Sequence, residues 1–265
     1  VFHYLAGYGG GRKMLAPGVS ARKTILAVHG RCLADLPERG RHPRARAGVL
    51  GDNPVHRAAC EVAGQFPPTV AMHVALARSG ELAWVRVGDA VHEHARAAEA
   101  YGSANLAEVD GLLDAVVVSA GGHPVDRDLV QAHKALDAIA PIVRHGGTIV
   151  LVAEGRDGVG NPEVVEGLVL ETPERIETAL RNDFRVGVHT ALALVEKTRR
   201  YEVLAVTHLH DELLEAAGIR PVASLDEALK RVRARHGSSA EVAIAPRGAS
   251  LLYRLAERDP EGRAG

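Results

Sequence analysis

Short apolar runs alternate along this chain with segments whose apolar residues recur every three or four positions. Residues 115–119, 148–152, 202–206 and 242–245 are compact Val/Ala/Leu/Ile runs, the pattern of strands buried on both faces. Helical spacing predicts helices over residues 126–142, 162–169, 173–180, 185–199, 209–217 and 225–236. Strands that alternate with helices in this way imply a parallel sheet covered on both faces. The first hundred residues read differently. A helix is expected over 21–29, with Ser20 as N-cap and Gly30 as a left-handed stop. A long loop rich in Pro, Gly and Arg follows over 31–53, then a helix over 54–64. Strand-like runs at 69–76 and 81–87, joined through Arg78-Ser79-Gly80, predict a hairpin, and an Ala-rich helix covers 90–101. The change of rhythm after Gly102 predicts an α/β chain of two domains, 1–108 and 109–265, the second a doubly wound, mostly parallel sheet.

Composition narrows the classes. The chain has 265 residues, 46% of them hydrophobic and 25% charged, which suits packed domains. Only 3% are aromatic, so Val, Leu, Ala and Ile must fill the core. A net charge of −1 offers no electrostatic case for nucleic acid or an anionic membrane. The basic run Arg41, His42, Arg44, Arg46 is interrupted by Pro43 and reads as a solvated loop. The 2 cysteines, Cys32 and Cys60, suggest neither a disulfide framework nor a zinc site, so a reducing cytoplasm is the default. No apolar run reaches the length of a membrane span.

Candidate chemistry begins at the first residues. His3, the glycines Gly9, Gly10 and Gly11, Lys13 and His29 stand close together. Consecutive glycines let backbone N–H groups approach an anion closely. A lysine beside them can meet a phosphate or act as a nucleophile, and histidines move protons or bind metals. Arg12 and Met14 exclude a phosphate-binding Walker loop, and no third glycine stands in register for a dinucleotide fingerprint. Spacing alone equally fits a surface turn. In the second region three glycine-rich or polar loops follow the strand-like runs, at 120–124, 154–160 and 207–211, where ligands bind in open parallel sheets. His92-Glu93-His94 reads as an exposed helix face, and His208 and His210 as loop residues.

The stretch His3-Tyr4-Leu5-Ala6-Gly7-Tyr8, then Gly10-Gly11-Arg12-Lys13, Pro17-Gly18, His29 and Asn53-Pro54-Val55-His56, resembles the nickel-dependent lactate racemases and related 2-hydroxy-acid epimerases. Pro124-Val125-Asp126-Arg127-Asp128, Gln131, Lys134, Gly146-Gly147-Thr148 and Asp157-Gly158-Val159-Gly160 extend the resemblance over nearly the whole chain. The resemblance implies a racemase or epimerase acting on a small 2-hydroxy acid or sugar acid by reversible hydride transfer. It implies a cofactor made by dedicated maturation enzymes: a nickel pincer of pyridinium-3-thioamide-5-thiocarboxylic acid mononucleotide, covalent on Lys13 and bordered by Gly9, Gly10 and Gly11. By the same match His3 is an acid/base group, His29 the nickel ligand, and Gln131 and Lys134 hold the substrate carboxylate. Family members begin well before the position matching Val1, so the first domain is expected to be incomplete and the second acid/base histidine to lie outside this chain. Val130 stands where lactate-handling members are expected to carry tyrosine, which points away from lactate itself. Two other readings compete: a nicotinamide-type oxidoreductase, and a non-catalytic cofactor-binding subunit.

Overall fold

The computed structural model describes residues 20–66, 70–77, 80–89 and 92–256. In chain order the elements are α1 (Arg22–Gly30), α2 (Pro54–Ala63), β1 (Val70–Leu76), β2 (Leu82–Asp89), α3 (His92–Ala104), β3 (Leu106–Val109) and β4 (Leu113–Ser119). There follow α4 (Leu129–Ile139), β5 (Val143–Val152), α5 (Glu163–Leu168), α6 (Pro173–Asn182), α7 (Val186–Arg200) and β6 (Glu202–Val206). The chain continues through α8 (Asp211–Ala216), β7 (Arg220–Pro221), α9 (Leu225–His236), β8 (Val242–Ala245) and β9 (Leu252–Leu255). They form two compact units. One takes the described residues up to Asn105 together with Glu174–His189, and the other takes Leu106–Pro173 with the residues from Thr190 onward.

The first unit is held by a small apolar cluster and by caps. Val28, Cys32, Ala45, Val55 and Ala59 form its core, with Phe184 packed against them. The buried side chain of Asn53 caps α2 by accepting from the Val55 N–H at 3.0 Å, and Pro54 occupies the first turn, where a missing N–H costs nothing. At α1 the cap position falls on Ala21, whose side chain cannot cap, and Gly30 lies inside the helix. The expected Ser20 cap and left-handed Gly30 stop are therefore replaced by a helix that runs one residue further. β1 and β2 pair antiparallel as the expected hairpin, with His73 opposite Arg86. The face carrying Ala71, His73 and Ala75 turns inward, so His94 on α3 is buried rather than exposed, its ring 5.7 Å from both His56 and His73.

Residues 174–189 join this unit through one buried carboxylate. Glu177 on α6 is 2% exposed; it accepts from the Gly40 N–H at 3.0 Å and from the Arg181 guanidinium at 2.8 Å. Arg181 in turn donates to the Ala34 carbonyl at 2.8 Å. This pairing ties the loop over 31–53, which also carries an isolated bridge, Leu33 to Arg41, and turn hydrogen bonds of its own, to α6.

The second unit is a five-stranded, all-parallel sheet in the order β7-β6-β5-β4-β8. One face carries Ala115, Val117, Val150 and Leu204 against Ala228 and Val232 of α9. The other lies under α4, so tightly that a side chain at Gly248 would collide with both Val118 and Ala135. Helices on both faces make the sheet doubly wound, as its apolar runs predict. The chain builds outward from β4 through β5, β6 and β7, then returns to place β8 on the far side of β4, a reversal that marks a ligand-binding position in such sheets. A further short strand, β9, pairs in parallel with β3 within this second unit.

Two buried polar groupings brace the sheet. At its amino edge the fully buried Thr148 hydroxyl donates to Glu202 at 2.8 Å and lies 2.8 Å from Nε2 of His236. Between α4 and α7, His133 donates from Nδ1 to the Val130 carbonyl at 2.6 Å, while Lys197 bonds the Ala193 carbonyl at 2.9 Å and pairs with Asp137. Burial drives the His133 pKa down from 6.5 to about 4, against the pull of Asp137 and with help from Lys197 and Lys134.

Because folded His133 stays neutral where an unfolded histidine takes up a proton, its contribution is complete above pH 6.5 and is lost as pH falls towards 4. Urea unfolding across that window should show a stability loss on the order of 3 kcal/mol, flattened in His133→Gln. Glu177→Ala should lower the unfolding free energy of the first unit by about 2–3 kcal/mol, since it strands Arg181 and the Gly40 N–H; an unchanged urea midpoint would show that the pair holds nothing.

Candidate functional site

At the carboxyl edge of the parallel sheet three loops are tied to one another. The turn after β4 ends at Asp128, whose Oδ1 accepts the Gln131 N–H at 2.7 Å and so caps α4. Its Oδ2 pairs with Arg127 at 3.0 Å. Asp126, two residues earlier, accepts the Glu154 N–H on Oδ2 at 3.2 Å, and its carbonyl accepts the Gly155 N–H at 2.8 Å. The Arg127 carbonyl takes the Asp157 N–H at 2.7 Å, and the Leu129 N–H reaches the Gly158 carbonyl at 3.0 Å. From the third loop, the Thr207 hydroxyl and the His208 N–H both donate to the Glu154 carbonyl, at 3.2 and 3.0 Å.

Two glycines make this closeness possible. Gly155 and Gly160 have φ of 72° and 81°, the left-handed region that favours glycine. A Cβ on Gly155 would strike Leu209 and Thr207, and one on Gly160 would strike the Asp128 carboxylate. The glycine-rich segment after β5 is therefore a packing requirement of the helix cap beside it. Asp126 Oδ1 is buried without a hydrogen-bond partner, an acceptor kept inside the loop cluster. On the outer side, Arg156 Nη2 lies 2.8 Å from His123 Nδ1 and its Nε 3.7 Å from Asp157.

Gln131 and Lys134 stand one turn apart on the α4 surface. The Lys134 ammonium donates to Gln131 Oε1 at 2.6 Å, which leaves two ammonium N–H groups and the Gln131 amide as donors on one patch. A Gln three residues after an Asp cap can fold back onto the cap N–H; here its oxygen is turned along the helix to the lysine instead. Lys134 is solvent-exposed, yet surrounding protein lowers its pKa from the ordinary lysine value, with Asp128 pulling the other way. A patch of N–H donors with a cationic head suits a carboxylate.

In the first unit His29 occupies the last turn of α1, half-buried. Its Nδ1 is 2.8 Å from the Ile25 carbonyl, which can only accept, so the proton resides on Nδ1 and the lone pair on Nε2. With Nδ1 engaged by a backbone carbonyl, Nε2 is the nitrogen through which this ring would bind a metal, an arrangement common among metal-ligating histidines. Among the described residues no group of three His, Cys, Asp or Glu side chains is arranged to hold a metal. His3, Gly9, Gly10, Gly11 and Lys13 lie outside the described residues.

Sequence reasoning missed the Asp126–Asp128 lacing. Its signal was present as Asp128 three residues before Gln131, a cap spacing that places the helix start at Leu129 rather than at 126. The Arg156–His123 contact left no such trace, because it joins residues 33 apart in sequence.

The comparisons with known proteins agree with this architecture. The lactate racemase C-terminal domain matches residues 110–253, over half of the chain, and the lactate racemase N-terminal domain matches residues 1–39. The lactate racemases of Lactiplantibacillus plantarum and Thermoanaerobacterium thermosaccharolyticum are each 27% identical over 95% of this chain. The chain spans 59% of the length of each. The apoprotein structure of the T. thermosaccharolyticum lactate racemase superimposes with a TM-score of 0.85 at 26% identity, covering 95% of this chain and 60% of that one. A crystal structure of a Thermotoga maritima protein shares the fold, with a TM-score of 0.66 at 16% identity over 96% of this chain and 64% of that one. The domain matches, the relatives and the doubly wound sheet agree: the chain belongs to the lactate racemase family.

Proposed function

We propose that this chain serves a racemase or epimerase of small 2-hydroxy acids or sugar acids that works with a nickel-pincer nucleotide. The observation that carries this reading is the likeness, over 95% of the chain, to two proteins named lactate racemase. The Gln131–Lys134 donor patch and the Nδ1–H tautomer of His29 support it. In this reading residues 1–108 belong to the cofactor-binding domain and residues 109–265 to the domain that receives substrate. No helix among the described residues is long and apolar enough to cross a membrane, and Cys32 and Cys60 form no disulfide, which fits a cytoplasmic enzyme.

The α-proton of a 2-hydroxy carboxylate is too weakly acidic for simple deprotonation, and the chemistry that the cofactor supplies when bound is reversible hydride acceptance at that carbon. Lys13 would hold the pincer covalently, with Gly9, Gly10 and Gly11 beside it, and His29 would offer Nε2 to nickel, for which imidazole is a suitable donor. Lys134 and Gln131 would bind the substrate carboxylate through charge-assisted hydrogen bonds and so fix which atoms face the reaction. His3 would take the hydroxyl proton and return it, a reversible transfer for which the imidazole side chain is suited. Val130, directly before the clamp, presents a small apolar side chain where a tyrosine is expected for lactate, which favours a different hydroxy acid.

Produced together with the cofactor-making enzymes, the chain should carry a mass adduct on the Lys13 peptide and stoichiometric nickel, both absent in Lys13→Ala. An adduct retained in that variant overturns the role of Lys13, and a loaded chain without turnover in any hydroxy-acid assay supports the binding-subunit reading instead. Gln131→Ala combined with Lys134→Ala should keep nickel and adduct while weakening 2-hydroxy-acid binding about 100-fold by calorimetry, the loss of two charge-assisted bonds at about 1.5 kcal/mol each. Loss of nickel in that double variant would mean that the patch does not serve the substrate.

A further inference from the structure

The two edges of the parallel sheet are finished differently. At one edge β7 is 2 residues long and consists of Arg220 and Pro221. A very short strand with a charged side chain and a proline is the form in which an edge resists pairing with another chain. At the other edge β8 is Val242-Ala243-Ile244-Ala245, without charge, proline or bulge, and no strand lies beyond it among the described residues. Ile244 is 77% exposed, more than any other large apolar side chain among the described residues, and Val242 is 42% exposed. In the parallel register Val242 lies beside Ala115 and Ile244 beside Val117, so both continue the sheet face that α9 covers further in.

The main chain of this edge matches itself. The Glu241 carbonyl accepts from the Asp114 N–H at 3.0 Å and from the Ala115 N–H at 3.3 Å, so the main chain of Glu241 faces β4. Successive residues of a strand direct their N–H and C=O groups to opposite sides. Ala243 and Ala245 therefore face β4 as well, and the N–H and C=O groups of Val242 and Ile244 point outward. Two such edges related by a two-fold axis at Ala243 fit in antiparallel register. Val242 then meets Ile244 of the second copy, Ile244 meets its Val242, and every outward group of these residues gains a partner. The same register sets β-branched side chains against each other twice on one face, a pairing that stabilises sheets. On the other face it places Glu241, 67% exposed and only 3.9 Å from its own Arg144, diagonal to the exposed Arg247 of the second copy, an opposite charge. We infer that β8 is a self-association edge, which joins two copies of this chain into one continuous sheet through Val242 and Ile244. An interface this small belongs to the weak class, so the dimer dissociates on dilution. The inference rests on the second unit alone and is independent of the racemase chemistry.

The register supplies its own test in the protein expressed from its own locus. Ala243 meets Ala243 of the second copy in a non-hydrogen-bonded pair, with Cα atoms about 4.5 Å apart, inside the range of a disulfide. Ala243→Cys, in a Cys60→Ser background, should therefore give a disulfide-linked dimer under mild oxidation. Val242→Cys is more exposed, yet it faces Ile244 of the second copy, and it should remain a thiol. Sedimentation over a dilution series from roughly 200 µM to 1 µM should show a monomer–dimer equilibrium. Ile244→Lys, which acts twice across the two-fold, should shift that equilibrium about 100-fold towards monomer with an unchanged melting curve. A monomer at every concentration overturns the inference. So does a dimer that survives Ile244→Lys, or a Val242→Cys protein that crosslinks as readily as Ala243→Cys. The disulfide readout leaves Val242 and Ile244 intact, so it decides the matter even where Ile244→Lys fails to fold.

Discussion

The carboxylate of Asp128 is the constraint on which the carboxyl edge of the second unit's sheet depends. It ends the turn after β4, starts α4, neutralises Arg127 and is packed so closely against Gly160 that no other residue fits there. Since the same helix carries Gln131 and Lys134, the position of the donor patch follows from this cap and from the neighbouring Asp126, which pins the β5 loop through Glu154 and Gly155. A single mis-set bond here would rotate the helix start, and with it the two side chains one turn further on.

How the buried charges are treated differs between the two ends of the sheet. At the carboxyl edge, Asp126 and Asp128 each accept a backbone N–H on one carboxylate oxygen, an arrangement that costs no side-chain entropy and leaves cationic heads such as Lys134 available. At the amino edge, Thr148, Glu202 and His236 satisfy one another, and the fully buried hydroxyl has no route to a ligand. A threonine, a histidine and a carboxylate close together therefore form a brace here and not a nucleophile, because reaction requires access as well as proximity.

The sheet was legible because its strands are continuous apolar runs of the kind that only a doubly covered sheet buries; β6, α9 and β8 fall on their expected residues. What escaped were elements too short or too polar for periodicity to register: β3, β7 and β9, of 4, 2 and 4 residues, each defined by a partner strand and not by its own sequence. The same limit explains the histidines. His92 and His94 sit two apart on α3, and only the inward turn of the hairpin decides that His94 is buried while His92 is exposed. The family resemblance named Gln131 and Lys134 from their spacing, but their direct hydrogen bond, with the glutamine turned away from the cap, depends on side-chain torsions that spacing does not encode.

Glu177 carries a consequence for how the protein is made. The first unit needs residues 174–189, yet these are preceded by more than half of the second unit's sheet-forming sequence. As the chain leaves the ribosome, the loop over 31–53 waits without its buried anchor until α6 has been synthesised, and the cluster around Val28 waits for Phe184. β4 and β5 emerge in that interval with β6 and β8 still to come. The two units therefore mature in an interleaved order instead of one after the other, and their half-built forms coexist during synthesis, each with apolar surface open to chaperones.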